Sequence, residues 1–200
     1  QLGQNDTVTQ SSPVQVTGTN WSEIGSGEAF SIATTEDGKL WAWGDNGEGQ
    51  LGQNDSHTLD RSSPVQVGAL TTWSKVAASI TNSYAIKTDG TLWSWGFGGN
   101  GRVGDGQEID RSSPVQIGSL TTWSKLGTGY YHCFAIKTDG TLWGWGRNDA
   151  GQLGTGDRIY PSSPVQIGAL TTWDKVQGGR RFTLAVKTDN TLWAWGENWF

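Results

Sequence analysis

The sequence has very little with which to build chemistry or cross-links. One cysteine, Cys133, among 200 residues excludes an intrachain disulfide and any cysteine-based zinc site assembled from one chain. There is no methionine, so the core is filled without adaptable thioethers. The missing initiator residue suggests a processed product or a segment of something longer. No apolar run approaches the ~20 residues of a membrane span, and the opening QLGQNDTVTQ lacks the charged and apolar regions of a signal peptide. Basic residues are outnumbered, 14 Lys and Arg against 19 Asp and Glu for a formal charge of −5. That balance argues against nucleic acid as a partner, because phosphate binding rests on clustered cations. With two histidines, His57 and His132, no nucleophile, base and orienting group converge, and no glycine-rich phosphate loop opens a helix. The chain therefore reads as non-enzymatic, with no cofactor and no metal. The acids and amides of Asp45-Asn46-Gly47-Glu48 are turn formers, and no copy has the spacing of a calcium loop.

What is abundant is glycine, 30 residues, and tryptophan, 13 residues. Both fall in a repeated phrase. Residues 134–146 read FAIKTDGTLWGWG, and the phrase returns at 84–96, at 184–196 and more loosely at 32–44. Each copy is two short runs of aromatic and β-branched residues joined by Asp-Gly or Asp-Asn, which predicts a β-hairpin whose two central turn residues both have positive φ. A lone hairpin is marginal in water, so the copies must stack. Trp21, Trp73, Trp123 and Trp173 open a further short segment before each hairpin, at spacings of 52, 50 and 50 residues. A Pro-led segment, Ser-Ser-Pro-Val-Gln-Val/Ile, follows the first three hairpins at 62–67, 112–117 and 162–167 and also stands at 11–16; proline suits an edge strand. A period near fifty with four strands and no helical periodicity predicts an all-β chain of four-stranded antiparallel propeller blades. The units run over 1–20 (a partial edge strand), 21–72, 73–122, 123–172 and 173–200 (partial), within one propeller region.

The third unit carries a resemblance. Its Gly127-Thr128-Gly129-Tyr130-Tyr131-His132-Cys133-Phe134-Ala135-Ile136, Asp139-Gly140, Trp143-Gly144-Trp145-Gly146 and Asn148 to Gly154 (NDAGQLG) match in order the repeats of the RCC1 (regulator of chromosome condensation) family. The resemblance covers essentially the whole chain. It implies a β-propeller, usually of seven blades, so four repeats suggest a segment of a ring, completed by more chain or by another chain in a homo-oligomer; closure by residues 13–16 on the blade of Trp173 is the other arrangement. The family's histidine is kept only at His132 and replaced by Phe30, Asn82 and Phe182. As a family position it implies a hydrogen-bonded structural imidazole and not a base.

Function is sought where near-copied units differ. Trp43, Trp95, Trp145 and Trp195 recur at one strand position and read as structural blade packing, whereas Trp199 lies outside the pattern. Between the Trp-led segment and the hairpin stand the unlike pairs Glu28-Ala29, Ile80-Thr81, Tyr130-Tyr131 and Arg180-Arg181. Stacking gives no reason to diversify a loop, so these pairs point to a surface meeting something asymmetric. Tyr and Arg are hot-spot residues. The chain is thus read as a protein-binding propeller scaffold that uses Glu28, Ile80, Thr81, Tyr130, Tyr131, Arg180 and Arg181, with an exposed bacterial or phage protein, at a cell or virion surface, as the preferred setting. A regulatory exchange-factor-like role and carbohydrate binding are the alternatives.

Overall fold

The repeated hairpin owes its shape to its tip. The computed structural model describes residues 1–18, 20–55 and 59–198, so His57 and Trp199 lie outside the described residues. Hairpins form between β2 (Phe30–Thr35) and β3 (Leu40–Gly44), β6 (Asn82–Lys87) and β7 (Leu92–Gly96), β10 (His132–Lys137) and β11 (Leu142–Gly146), and β14 (Phe182–Lys187) and β15 (Leu192–Gly196). The turn differs from the two-residue geometry expected. Gly90 N–H donates to Lys87 C=O, Lys87 N–H donates to Thr91 C=O, and of the tip residues Gly90 has positive φ (77°) while Asp89 does not. This is a three-residue loop closed by a left-handed residue. The cause is local: Asp89 Oδ1 accepts from both the backbone N–H and the hydroxyl of Thr91, at 3.0 and 2.7 Å. That bonding holds the aspartate at negative φ and passes the reversal to glycine. The same arrangement occurs at Asp139 with Thr141 and at Asp189 with Thr191.

Each hairpin gains an inner strand, β1 (Trp21–Ser26), β5 (Trp73–Ala78), β9 (Trp123–Thr128) or β13 (Trp173–Gly178). The first three also gain the Pro-led outer strand, β4 (Arg61–Gln66), β8 (Arg111–Gln116) or β12 (Val165–Gln166). The orders are β1-β2-β3-β4, β5-β6-β7-β8 and β9-β10-β11-β12, antiparallel throughout, and the fourth sheet is β13-β14-β15. Helix is confined, among the described residues, to one 3-10 turn at Gly99–Gly101. On one side of the second to fourth blades the Trp indoles meet edge to face, 5.8 to 5.9 Å between centroids for Trp73–Trp93, Trp123–Trp143 and Trp173–Trp193. The ammonium groups of Lys87, Lys137 and Lys187 stand 3.6 to 3.7 Å from the centroids of Trp93, Trp143 and Trp193, a cation–π contact. The indole N–H of Trp93 donates to the turn threonine Thr91, so tip and blade form one bonded chain through Asp89.

Blades join through shared cores. Phe30, Ile32 and Leu40 of the first blade cluster with Leu51, Val67, Trp73, Val76 and Trp95, and parallel clusters link the second to the third blade and the third to the fourth. The turn ending in Gln-Leu-Gly does much of the joining. Trp95 Nε1–H donates to Gln50 C=O at 2.9 Å, and a Cβ on Gly52 would sit 2.8 Å from that indole. The third copy reads Arg102-Val103-Gly104, yet Trp145 Nε1–H still reaches the Arg102 carbonyl at 3.1 Å. A main-chain acceptor and a bare glycine are what the position requires, so the wording can change. Residues 13–16 form no strand in this structure, and β15 has no outer partner among the described residues.

Candidate functional site

The unlike pairs occupy one structural position, the reversal from each inner strand into the hairpin. The residues before and after each pair are tied by their backbone: Gly27, Ser79, Gly129 and Gly179 N–H donate to the carbonyls of Phe30, Asn82, His132 and Phe182, at 2.8 to 3.0 Å. Gly27, Gly129 and Gly179 are bare because an aromatic ring lies beneath them; a Cβ there would come within 2.0 to 2.3 Å of Phe30, His132 or Phe182. The second blade has Ser79 with Asn82 instead. Ring and glycine vary together.

The structure splits each pair in two. The first members of three pairs, Glu28, Ile80 and Tyr130, line a cleft of about 210 Å³ where all four blades converge, together with Thr128 and Gln177. Backbone bonds run between blades here, from Glu28 N–H to Ile80 C=O and from Tyr130 N–H to Gly179 C=O. Glu28, Tyr130 and Arg180 are exposed and Ile80 is half-buried. An acid, two apolar groups and a guanidinium thus surround or flank one opening.

The second members turn outward. The carbonyls of Ala29, Thr81, Tyr131 and Arg181 accept from the residue after each Trp-Gly, namely Asp45, Phe97, Arg147 and Glu197. The side chains of Tyr131 and Arg181 meet the loop that follows the third strand. Arg102 lies over the Phe97 and Tyr131 rings, at 4.8 and 4.5 Å, and Arg147 over Tyr131 at 5.1 Å. Arg147 pairs with Asp149 at 2.7 Å, Asp149 with Arg181 at 3.0 Å, and Arg181 with Glu197 at 3.1 Å. The result is a row of stacked and ion-paired groups across the second, third and fourth blades. Burial works to raise the Asp149 carboxyl, but hydrogen bonds from Arg147 and Gln152 and the two arginine charges outweigh it and hold the group below the usual carboxylate range. Burial lowers the Arg102 guanidinium from its ordinary value, and its Nε has no hydrogen-bond partner.

The expected residues are thus sorted into two rows. Glu28, Ile80 and Tyr130 face the cleft and Arg180 is exposed in the matching place, while Thr81, Tyr131 and Arg181 stand beside the exit loops. Sequence reasoning missed Arg102, Arg147, Asp149 and Glu197. The available signal was that they too differ between copies at matched positions. Trp95 and Trp145 are fully buried, Trp43 nearly so, and Trp195 is half-buried. Asp45 and Asn46 are spent on their own turn, accepting from Gln50 Nε2 and from Leu51 N–H. Among the described residues no group of three His, Cys, Asp or Glu is placed to hold a metal ion. His132 is buried beside Phe134, 5.2 Å between centroids, with its Nδ1 unpartnered and its Nε2 3.5 Å from the Thr183 hydroxyl. It is less well hydrogen-bonded than the family position implied, and burial holds its pKa at about 4.

Four antiparallel blades whose inner strands gather around one cleft are an arc of a β-propeller. The chain belongs to the RCC1 family: the model of the regulator of chromosome condensation (RCC1) repeat matches residues 37–86, 89–136 and 139–186, and a second RCC1 repeat model matches 21–50 and 123–152. It is similar to the human E3 ubiquitin-protein ligase HERC2, 32% identical over 110 residues that make up 52% of this chain and 2% of that protein. It is also similar to the ultraviolet-B receptor UVR8 of Arabidopsis thaliana, 36% identical over 88 residues, 43% of this chain and 20% of that one. Among solved structures, Prp20p from Saccharomyces cerevisiae superposes with a TM-score of 0.81 at 21% identity, over 94% of this chain and 48% of that one. Human WBSCR16 gives 0.78 at 21% identity, over 88% and 47%. The chain therefore spans about half of these solved chains and a fifth or less of these curated relatives. No helix among the described residues is long and apolar enough to cross a membrane.

Proposed function

We propose that this chain is a non-enzymatic protein-binding propeller segment, and that its partner inserts a short segment at the cleft where the four blades meet. The observation that carries the reading is the convergence of Glu28, Ile80 and Tyr130, three unlike side chains from three near-copied blades, on one opening beside the exposed Arg180. An exposed tyrosine backed by Tyr131, 5.9 Å between centroids, and by the arginine row behind it is a rigid anchor of the kind that dominates interfaces. Charge is graded across the mouth, acidic at Glu28 and basic at Arg180, which orients a partner. Prp20p binds Gsp1p and histones; a protein partner is the part of that precedent proposed for this chain. The acidic surface suits an exposed bacterial or virion protein. Sugar binding has less support, since the indole N–H groups of Trp93, Trp143 and Trp193 bond to threonines of their own blades.

The test is affinity for a partner captured from the native source and identified by mass spectrometry. Tyr130→Ala combined with Arg180→Ala weakens that complex by about thirtyfold or more, the loss expected of a hot spot. Leu120→Ala, at an exposed site away from the cleft, leaves it unchanged. Equal affinity of the double variant and the parent overturns the reading.

A further inference from the structure

The polar groups that the fold leaves unused at the cleft decide what can enter it. Backbone N–H groups around the opening are already spent. Gly27, Ser79 and Gly129 donate to the carbonyls of Phe30, Asn82 and His132, while Glu28 donates to Ile80 C=O and Tyr130 to Gly179 C=O. Two side chains of the lining have given up protons in the same way. Thr128 Oγ1–H donates to Ala78 C=O at 2.9 Å, and Gln177 Nε2–H donates to Thr128 C=O at 2.7 Å. That second bond fixes the amide, because the flipped form would set its oxygen against a carbonyl oxygen. Gln177 Oε1 and the lone pairs of Thr128 Oγ1 are therefore left as acceptors, and the hydroxyls of Ser26 and Tyr130 can serve in either role.

Charge points the same way. Glu28 is the one charged side chain in the lining, and it is exposed. It makes no ion pair and no side-chain hydrogen bond with any described residue, whereas Glu23, Asp149 and Glu197 are paired with Lys75, Arg147 and Arg181. Arg180 is exposed and lies outside the lining. Tyr130 is 50% exposed and steadied by Tyr131, which leaves an aromatic surface of the kind that attracts a cation. Half-buried Ile80 adds an apolar wall for an alkyl stem. At about 210 Å³ the cleft falls below the ~300–1,000 Å³ of a small-molecule site and suits a single long side chain.

Taking the cleft as the docking site proposed above, on which this step rests, we infer that its occupant is a cationic side chain, a lysine or arginine of the protein partner. The charge sits at Glu28, the remaining N–H groups face Gln177 Oε1 and Thr128 Oγ1, and the stem lies along Ile80 and Tyr130. A carboxylate or phosphate would meet a like charge and two acceptors at the same place. Arg180 repels a second cation, so the residues that flank the inserted one toward the fourth blade are neutral or acidic.

The test is selection of a displayed random hexapeptide library on the immobilised 200-residue chain, followed by fluorescence anisotropy with the selected peptides. The selected peptides share a Lys or Arg, and norleucine in its place, a stem without the charge, weakens binding about tenfold or more. Glu28→Gln melts as the parent does and binds the same peptides about tenfold more weakly. Glu36→Gln, at an exposed acid away from the cleft, changes nothing. Peptides that lose affinity for Tyr130→Ala but carry no cation, or that bind Glu28→Gln as tightly as the parent, overturn the inference and leave the docking site standing. Equal weakening by Glu36→Gln also overturns it, since the attraction would then be to the acidic chain at large. Peptides that bind Tyr130→Ala as tightly as the parent overturn both the occupant and the site, as does a selection that enriches nothing.

Discussion

Replacing His132 with phenylalanine tests how the blades accommodate an ionisable group at the reversal. The imidazole is buried against Gly129 and Gly178, and its folded pKa of about 4 lies below the ordinary 6.5 because burial disfavours the cation. The unfolded chain therefore takes up a proton near pH 6.5 that the folded chain refuses until about pH 4. Stability linked to this group is fully present above pH 6.5 and is lost as pH falls through that window. A gap of two to three pH units amounts to about 3 kcal/mol by pH 4. Phe30 and Phe182 fill the same position in the first and fourth blades, each over its own bare glycine, so the variant keeps the packing and removes the titration. Urea unfolding at intervals between pH 7 and pH 4 is the assay. The carboxyls of Asp89, Asp139 and Asp189, held below the usual carboxylate range by their turn threonines, are the same in both proteins and cancel in the difference. The His132→Phe protein should be close to the parent at pH 7 and more stable by about 3 kcal/mol at pH 4. Parallel curves over this range would refute the reasoning.

Other positions follow from comparing one blade with the next. Trp41 has a buried indole N–H without a partner, because the first blade has Lys39 where the others have the turn threonine; Lys39→Thr supplies the acceptor and should stabilise by about 1 kcal/mol, raising Tm by ~2–4 °C in calorimetry. The surface pair lost with Asp37 offsets little of this. Gly96 has φ of +108° and room for no Cβ, which would lie 2.3 Å from Thr81 C=O; Gly96→Ala should cost about 2 kcal/mol or more in urea unfolding, and an unchanged midpoint would contradict the assigned strand exit.

Much of the blade was legible because its causes are local or repeated. The Trp-led strand, the hairpin arms and the Pro-led edge are set by residue type and by a fifty-residue period, and each reappears as a strand in the first three units. The turn type was not legible from Asp-Gly alone, since it depends on Asp89 bonding to Thr91 two residues on. The pairs at 28–29, 80–81, 130–131 and 180–181 stood out by being unlike, but the reversal puts Glu28, Ile80 and Tyr130 at the cleft and Tyr131 and Arg181 against the exit loops. Arg147 and Asp149 escaped notice because their relation to Tyr131 and Arg181 is made between loops and between blades.

The central claim is that partners dock on the cleft face. A photo-reactive amino acid at position 130, with another at position 120 as the control, measures this directly in the native source. Adducts with a discrete protein at 130 and none at 120 are the predicted result. Adducts at 120 with none at 130 would contradict the account.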